Sequence, residues 1–282
     1  MGVLDINKIN MINNQSLYRF FNFNKMNKKL HFSAIFISVI MIACSTSINP
    51  LVIGHRGARG YIAENTLPSI SKAINLGVDG VEIDVFRCSS GELVVFHDQT
   101  LEKLTNASGY IEQLDLDSIR NIKVLDHYTI PTLDEVLDLI DGRILLNIEL
   151  KGTQTALLTN QLLQRYFEGT KWSPDKIIIS SFNWEELEIF YQANSNIPIA
   201  ILTEDDPLDA IAIGKKLNAI AINPDFKSLD KNNIEKIKKA GFKIYPWTVN
   251  THENILNLID LGVDGIITDY PERVLNLWNP SL

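Results

Sequence analysis

Glu82 and Asp84 stand two residues apart in the apolar run 81–87. Alternate side chains of a strand share a face, so both carboxylates point the same way. Ser89-Ser90-Gly91 signals a turn, and 93–97 is a second apolar run. Folding the runs about that turn sets His97 level with Ile83 and Asp84. One hairpin then delivers two carboxylates and an imidazole to one place. Paired carboxylates on an apolar strand are costly unless something neutralises them. Glu149-x-Lys151 repeats the two-residue spacing and adds a third carboxylate and an ammonium. Three carboxylates without clustered cysteines suit a hard divalent cation, Ca2+ or Mg2+. His55 and His97 each end an apolar run and precede a charged residue, Arg56 or Asp98. Imidazoles titrate near neutrality and suit proton transfer in both directions. Asp98 either orients the His97 ring or opens the next turn. Arg56 and Lys151 are candidate phosphate ligands, or counter-ions to the carboxylates. Phe182 and Trp247 wall a substrate pocket or pack its rim.

These residues need a scaffold that brings distant segments together. Strand patterns at 51–54, 81–87, 144–150, 176–180, 197–202, 219–222, 243–245 (continuing to 248) and 265–268 alternate with helical ones. The helices fall near 67–76, 132–140, 155–167, 184–192, 207–217, 229–240, 252–261 and 271–277. Asn65 or Thr66 caps the first, and Gly77 ends it. Residues 98–131 form an excursion after the second strand, with a short helical stretch at 116–122. Eight strand–helix units in about 230 residues predict an α/β fold, a (β/α)8 TIM barrel with a small insertion after strand 2. A doubly wound open sheet is the alternative. An internal echo favours the ring: Asn75-Leu76-Gly77-Val78-Asp79-Gly80-Val81 resembles Asp260-Leu261-Gly262-Val263-Asp264-Gly265-Ile266. In that register Asp84 falls opposite Asp269. The unusual polar residues sit at carboxyl ends of strands, the rim on which such barrels carry their active sites.

The 282 residues carry a net charge of −8. Residues 1–44 hold five Lys/Arg and one Asp, leaving 21 basic against 33 acidic residues, a balance of −12. So acidic a body excludes nucleic acid as a partner and requires a local cation for any anionic substrate. The two cysteines, Cys44 and Cys88, lie in unlike contexts and imply no disulfide framework. Met26-Asn27-Lys28-Lys29, the apolar stretch 30–43 and Met41-Ile42-Ala43-Cys44 resemble a bacterial lipoprotein signal, with Cys44 lipidated. The expected division is therefore an extension and signal at 1–44, a linker at 45–50 and one domain at 51–282. The expected location is the bacterial cell envelope, with the protein exported and held to a membrane by its lipid. Met26 is the expected true start. Nothing in the sequence signals an oligomeric state.

His55-Arg56-Gly57 with Glu64-Asn65-Thr66, Glu82-x-Asp84, His97-Asp98, Glu149-x-Lys151, Ser180-Ser181-Phe182 and Trp247-Thr248-Val249-Asn250 together resemble the glycerophosphodiester phosphodiesterase family. The segment Gly262-Val263-Asp264-Gly265-Ile266-Ile267-Thr268-Asp269 resembles it too. The resemblance implies the same barrel and a divalent cation on Glu82, Asp84 and Glu149. It implies His55 and His97 as the acid–base pair, Arg56 and Lys151 on the phosphate, and Trp247 against glycerol or the leaving group. The implied reaction releases glycerol 3-phosphate and an alcohol from a glycerophosphodiester. Arg87-Cys88-Ser89-Ser90 departs from the family's usual turn but holds no expected ligand. The rival readings are a lysophospholipase D-like phosphodiesterase and a non-catalytic surface-binding lipoprotein. Loss of a motif position would favour the latter, and none is lost.

Overall fold

The computed structural model describes residues 49–278. Cys44, the signal segment and most of the expected linker lie outside the described residues. The strands are β1 (Leu51–His55), β2 (Gly80–Arg87), β3 (Leu93–Val95), β4 (Lys123–Val124), β5 (Tyr128–Thr129), β6 (Leu145–Leu150), β7 (Ile177–Ser181), β8 (Ile199–Thr203), β9 (Ala221–Pro224), β10 (Lys243–Ile244) and β11 (Gly265–Thr268). The helices are α1 (Leu67–Leu76), α2 (Leu116–Arg120), α3 (Leu133–Ile140), α4 (Thr155–Phe167), α5 (Trp184–Ala193), α6 (Ala210–Lys216), α7 (Lys231–Lys239), α8 (His252–Asp260) and α9 (Pro271–Leu275).

Eight strands pair in parallel in the order β10-β9-β8-β7-β6-β2-β1-β11. Backbone bonds from Asp264 to Ile244, from Ile267 to Pro246 and from Val249 to Ile267, each 3.0 Å, link the two ends of the ladder. The sheet is thus a nearly closed barrel ringed by helices, as the strand–helix alternation predicts.

Alternation along each strand builds two apolar layers. Val81, Ile83 and Val85 of β2, Leu146, Ile148 and Leu150 of β6, and Ile177 and Ile179 of β7 face the helices. Ile53, Ile178, Ala200, Ala221, Tyr245 and Ile267 fill the barrel interior. The intervening inward positions near the carboxyl ends are Glu82, Asp84, Asn147 and Glu149, all buried. The apolar plug stops where those polar residues begin, and this sets the depth of the site.

Local chemistry fixes the element ends. Thr66 caps α1 by accepting from the Ser69 amide, and Gly77 ends it at φ 85°. A capping box between Thr132 and Glu135 starts α3. The helix expected from 207 begins at Ala210, because Asp206 turns the chain by accepting from the amides of Leu208 and Asp209. The strand expected at 219–222 begins at Ala221, because the Ala219 amide still bonds Gly214 at the end of α6. The regular part of β10 stops at Ile244, two residues short of Pro246, which has no amide to donate.

After β2 the chain returns as β3, antiparallel, with Val85 opposite Val95. The excursion that follows holds α2 and the β4–β5 pair. Leu101, Ile111, Ile119, Ile122, Val124 and Ile130 bury against Phe86 and Phe96 in a core of their own. Each such burial contributes roughly 1.5–3 kcal/mol. The insertion therefore has its own reason to stay folded against the rim.

Candidate functional site

Strand register assembles the site. β1 sets His55 beside Glu82, and β6 sets Asn147 beside Glu82 and Glu149 beside Asp84. The β2–β3 hairpin continues as the Phe96 amide donating to the Asp84 carbonyl, which brings His97 onto the same rim. A cavity of about 330 Å3 opens there. His55, Arg56, Glu82, His97, Glu149, Lys151, Phe182 and Trp247 all line it. Asp84, the ninth residue singled out from the sequence within the described region, adjoins this group and is wholly buried.

Glu82, Asp84 and Glu149 each offer an oxygen within 4.8 Å of the others. Glu82 Oε1 and Asp84 Oδ1 are buried without a hydrogen-bond partner. Orphaned carboxylate oxygens facing one another are unfavourable unless a cation joins them. The donor set is all oxygen and anionic, so these residues fit a divalent cation of the Mg2+ or Ca2+ type. The electrostatics agree. Burial, then the charges of Asp84 and Glu149, push Glu82 well above the usual carboxylate range. Burial and the Asp84 charge push Glu149 up to about 7, against the opposing pull of Lys151. Burial also works to raise Asp84, but Arg56, His97, Lys151 and the Asn65 amide outweigh it and hold it ionised.

The two imidazoles are oriented alike. His55 Nδ1 lies 2.7 Å from Asp269 Oδ1, and His97 Nδ1 lies 2.6 Å from Asp98 Oδ1. A carboxylate only accepts, so each Nδ1 carries the proton and each Nε2 keeps its lone pair. Arg56 Nε donates to His55 Nε2 at 3.2 Å, and Lys151 Nζ lies 3.3 Å from His97 Nε2. Burial lowers the pKa of His55, against the Asp269 bond. Burial lowers His97 too, opposed by Asp84 and helped by Arg56 and Lys151.

Arg56 is at the centre of this arrangement. Its backbone sits at φ 51°, a region an arginine seldom adopts. That turn lets its amide donate to Glu82 Oε2 at 3.0 Å while its side chain reaches Glu64 at 2.5 Å and Asp84 Oδ2 at 3.3 Å. Gly57 follows at φ 88°, where a Cβ would fall 2.5 Å from Ser69 Oγ. Only glycine fits that close approach to α1. Lys151 Nζ pairs with Glu149 Oε1 at 2.8 Å and lies 5.7 Å from the centre of the Phe182 ring. Phe182 meets Trp247 edge to face at 5.4 Å, and Trp247 Nε1 donates to the Asn223 carbonyl.

Sequence reasoning missed several contributors. The internal echo places Asp269 opposite Asp84 and gives it no role. The structure sets it on His55, with Asn250 Nδ2 at 2.8 Å from its other oxygen. Asn65 competes with Thr66 as a helix cap in sequence. In the fold Thr66 caps, and Asn65, at φ 57°, gives its side-chain amide to Asp84 Oδ2 at 2.8 Å. Glu204, one residue past β8, lines the cavity and carries no motif that marks it.

The family model described as the Glycerophosphoryl diester phosphodiesterase family matches residues 55–273. A glycerophosphodiester phosphodiesterase of Caldanaerobacter subterraneus subsp. tengcongensis is 35% identical over 243 residues, covering 80% of this chain and 97% of that protein. A glycerophosphodiester phosphodiesterase of Bacillus subtilis is 31% identical, covering 79% of this chain and 84% of that protein. Among solved structures, an Oleispira antarctica phosphodiesterase in complex with the product sn-glycerol-3-phosphate is 28% identical with a TM-score of 0.75. That likeness covers 82% of this chain and 97% of that one.

Proposed function

The chain belongs to the glycerophosphoryl diester phosphodiesterase family and is a phosphoric diester hydrolase, and from that membership we propose a mechanism for its cleavage of glycerophosphodiesters to sn-glycerol 3-phosphate and an alcohol. The carrying observation is geometric. Two imidazoles, each fixed at Nδ1 by a carboxylate, both line the cavity that adjoins a buried three-carboxylate cluster.

Glu82, Asp84 and Glu149 are the residues that would hold a divalent cation. When bound, that cation supplies Lewis-acid charge to the phosphoryl oxygens. Arg56 and Lys151 offset the diester's charge as it grows in the transition state. His55 is the base: burial lowers its pKa and favours the neutral ring, which keeps its Nε2 lone pair through the Asp269 bond. Its proton comes from the substrate's own neighbouring glycerol hydroxyl, whose attack gains from a preset intramolecular geometry, expels the alcohol and leaves a cyclic phosphate. Water then attacks the phosphorus, the bond to the glycerol 2-oxygen breaks, and that oxygen regains its proton to give sn-glycerol 3-phosphate. His97 is the acid. Before the reaction its Nε2 takes up a proton from solvent; its Asp98 partner stabilises the resulting imidazolium, which protonates the departing alkoxide. Trp247 and Phe182 wall the glycerol side.

The test is release of sn-glycerol 3-phosphate from glycerophosphocholine, with and without chelator and with Glu82→Ala. Near-complete loss is expected in both disabled cases; full activity of Glu82→Ala removes the cation assignment. A diester methylated at the glycerol 2-hydroxyl should resist cleavage, and normal turnover of it returns the nucleophile to water. The lysophospholipid reading gains no support from the excursion 98–131, whose cavity-lining side chains beside His97 (Asp98, Gln99 and Glu112) are polar. A side-by-side assay with lysophosphatidylcholine decides it.

Export and anchoring through lipid on Cys44 rest on the signal pattern alone. Among the described residues no helix is long and apolar enough to cross a membrane. Metabolic labelling with a fatty-acid analogue, lost in Cys44→Ser, is the check.

A further inference from the structure

A second cavity, of about 410 Å3, lies on the other flank of His97 and Lys151, which line both hollows. The first hollow holds His55, Trp247 and Phe182; the second holds Phe86, Asp98, Glu112 and Gly152. A diester phosphorus has two ester oxygens, and in-line displacement sets attacking and leaving oxygens on opposite sides of it. If His55 activates the glycerol hydroxyl in the first hollow, the departing oxygen lies beside His97. We infer that the leaving alcohol occupies the second hollow and that Glu112 selects it, favouring an alcohol that carries an ammonium group. This inference rests on the acid–base reading given above.

The chemistry of the second hollow supports a cationic guest. Asp98 is already paired with His97 and Lys103. Glu112 is half-buried, and no hydrogen bond or ion pair holds its side chain among the described residues. Its position is built by Gly152, where a Cβ would fall 2.6 Å from Glu112 Oε1 and 2.9 Å from Phe86 Cδ1. The Glu112 carboxylate suits an ammonium head by charge, and Phe86 beside it adds apolar surface to the same glycine floor. Glu112 comes from the insertion, so the segment that interrupts the barrel after β3 supplies the specificity while the strands supply the chemistry.

Steady-state hydrolysis of glycerophosphoethanolamine, glycerophosphocholine and the uncharged-alcohol diester glycerophosphoglycerol by the full chain provides the test. In Glu112→Gln the ratio of kcat/KM for the ammonium diesters to that for glycerophosphoglycerol should fall about five-fold, mostly through KM. Glu204→Gln, in the first hollow, should leave that ratio within two-fold. A ratio unchanged in Glu112→Gln overturns the inference, as does a ratio that falls in Glu204→Gln instead, which places the alcohol beside Trp247. Wild-type protein that cleaves none of the three diesters overturns the phosphodiester mechanism itself, a failure distinct from a lost preference.

Discussion

His55 reaches its carboxylate across 214 positions of sequence, whereas His97 reaches its own across one. Asp269 closes the barrel beside β1 and is itself held by Asn250 and, at 3.6 Å, by Arg59. Asp98 is held by Lys103, whose side chain is 65% exposed. The His55 side chain is 9% exposed and that of His97 25%. One pair is therefore part of the framework and the other part of its margin. A group that must stay neutral with a free lone pair belongs in the framework, where burial lowers its pKa. A group that must gain and give a proton belongs where solvent and a mobile alcohol can reach it.

The largest expected effects separate the two pairs by chemistry. His55→Ala and His97→Ala should each lose about 10^3-fold in kcat/KM on glycerophosphocholine. With a p-nitrophenol ester of glycerol phosphate, whose leaving group needs no proton, His97→Ala should recover most activity and His55→Ala none. The reverse pattern exchanges the roles of base and acid.

The carboxylates come next. Asp269→Asn frees His55 to adopt the other tautomer and should cost on the order of 10^2-fold or more. Asp98→Asn should cost about ten-fold, because the His97 ring is also held by Lys151. Equal losses would mean that the margin is as rigidly built as the framework.

The same contrast explains what could be read from the chain before folding. Glu82-x-Asp84 and Glu149-x-Lys151 are local patterns that strand alternation puts on one face, and His97-Asp98 is a pair of chain neighbours. The eight units and the insertion follow from periodicity and turn residues. Asp269 was legible only through ring closure. Once β11 pairs with β1, with Thr268 opposite Gly54, the next residue falls beside His55. Asn65 was hidden by Thr66, since both are good helix caps and only the tertiary approach of β2 decides which is free for Asp84. Glu112 and Glu204 belong to segments without period or motif, where position depends wholly on packing.

Between the two pairs lies the carboxylate cluster, which predicts a smaller, pH-dependent effect. Glu149 sits at about 7 in the folded chain without a cation, against about 4.3 unfolded. The unfolded chain therefore ionises first as pH rises. Stability present below about 4.3 is lost progressively up to about 7. A bound cation removes that loss by favouring the ionised form. The melting-temperature gap between cation-loaded and chelated protein should thus widen from pH 5 to pH 8, by roughly 5 °C. A gap that stays constant across that range removes the cation from the cluster.

The smallest effect probes the margin itself. Lys103 touches Asp98 at 3.2 Å from an exposed position, and such pairs contribute at most about 1 kcal/mol. Lys103→Ala should change kcat/KM on glycerophosphocholine less than two-fold at physiological salt. What remains of the effect should be larger at 0.01 M salt, where screening extends over about 30 Å rather than about 8 Å. Arg59→Ala should cost more, because Arg59 also fixes Glu64 at 2.5 Å, the same carboxyl group that holds Arg56 in the strained turn beside Glu82. The two substitutions compare cations of the same charge, each one residue removed from an imidazole. If Lys103→Ala proved the more damaging, orientation of His97 would depend on a surface ion pair, and the division into framework and margin would be wrong.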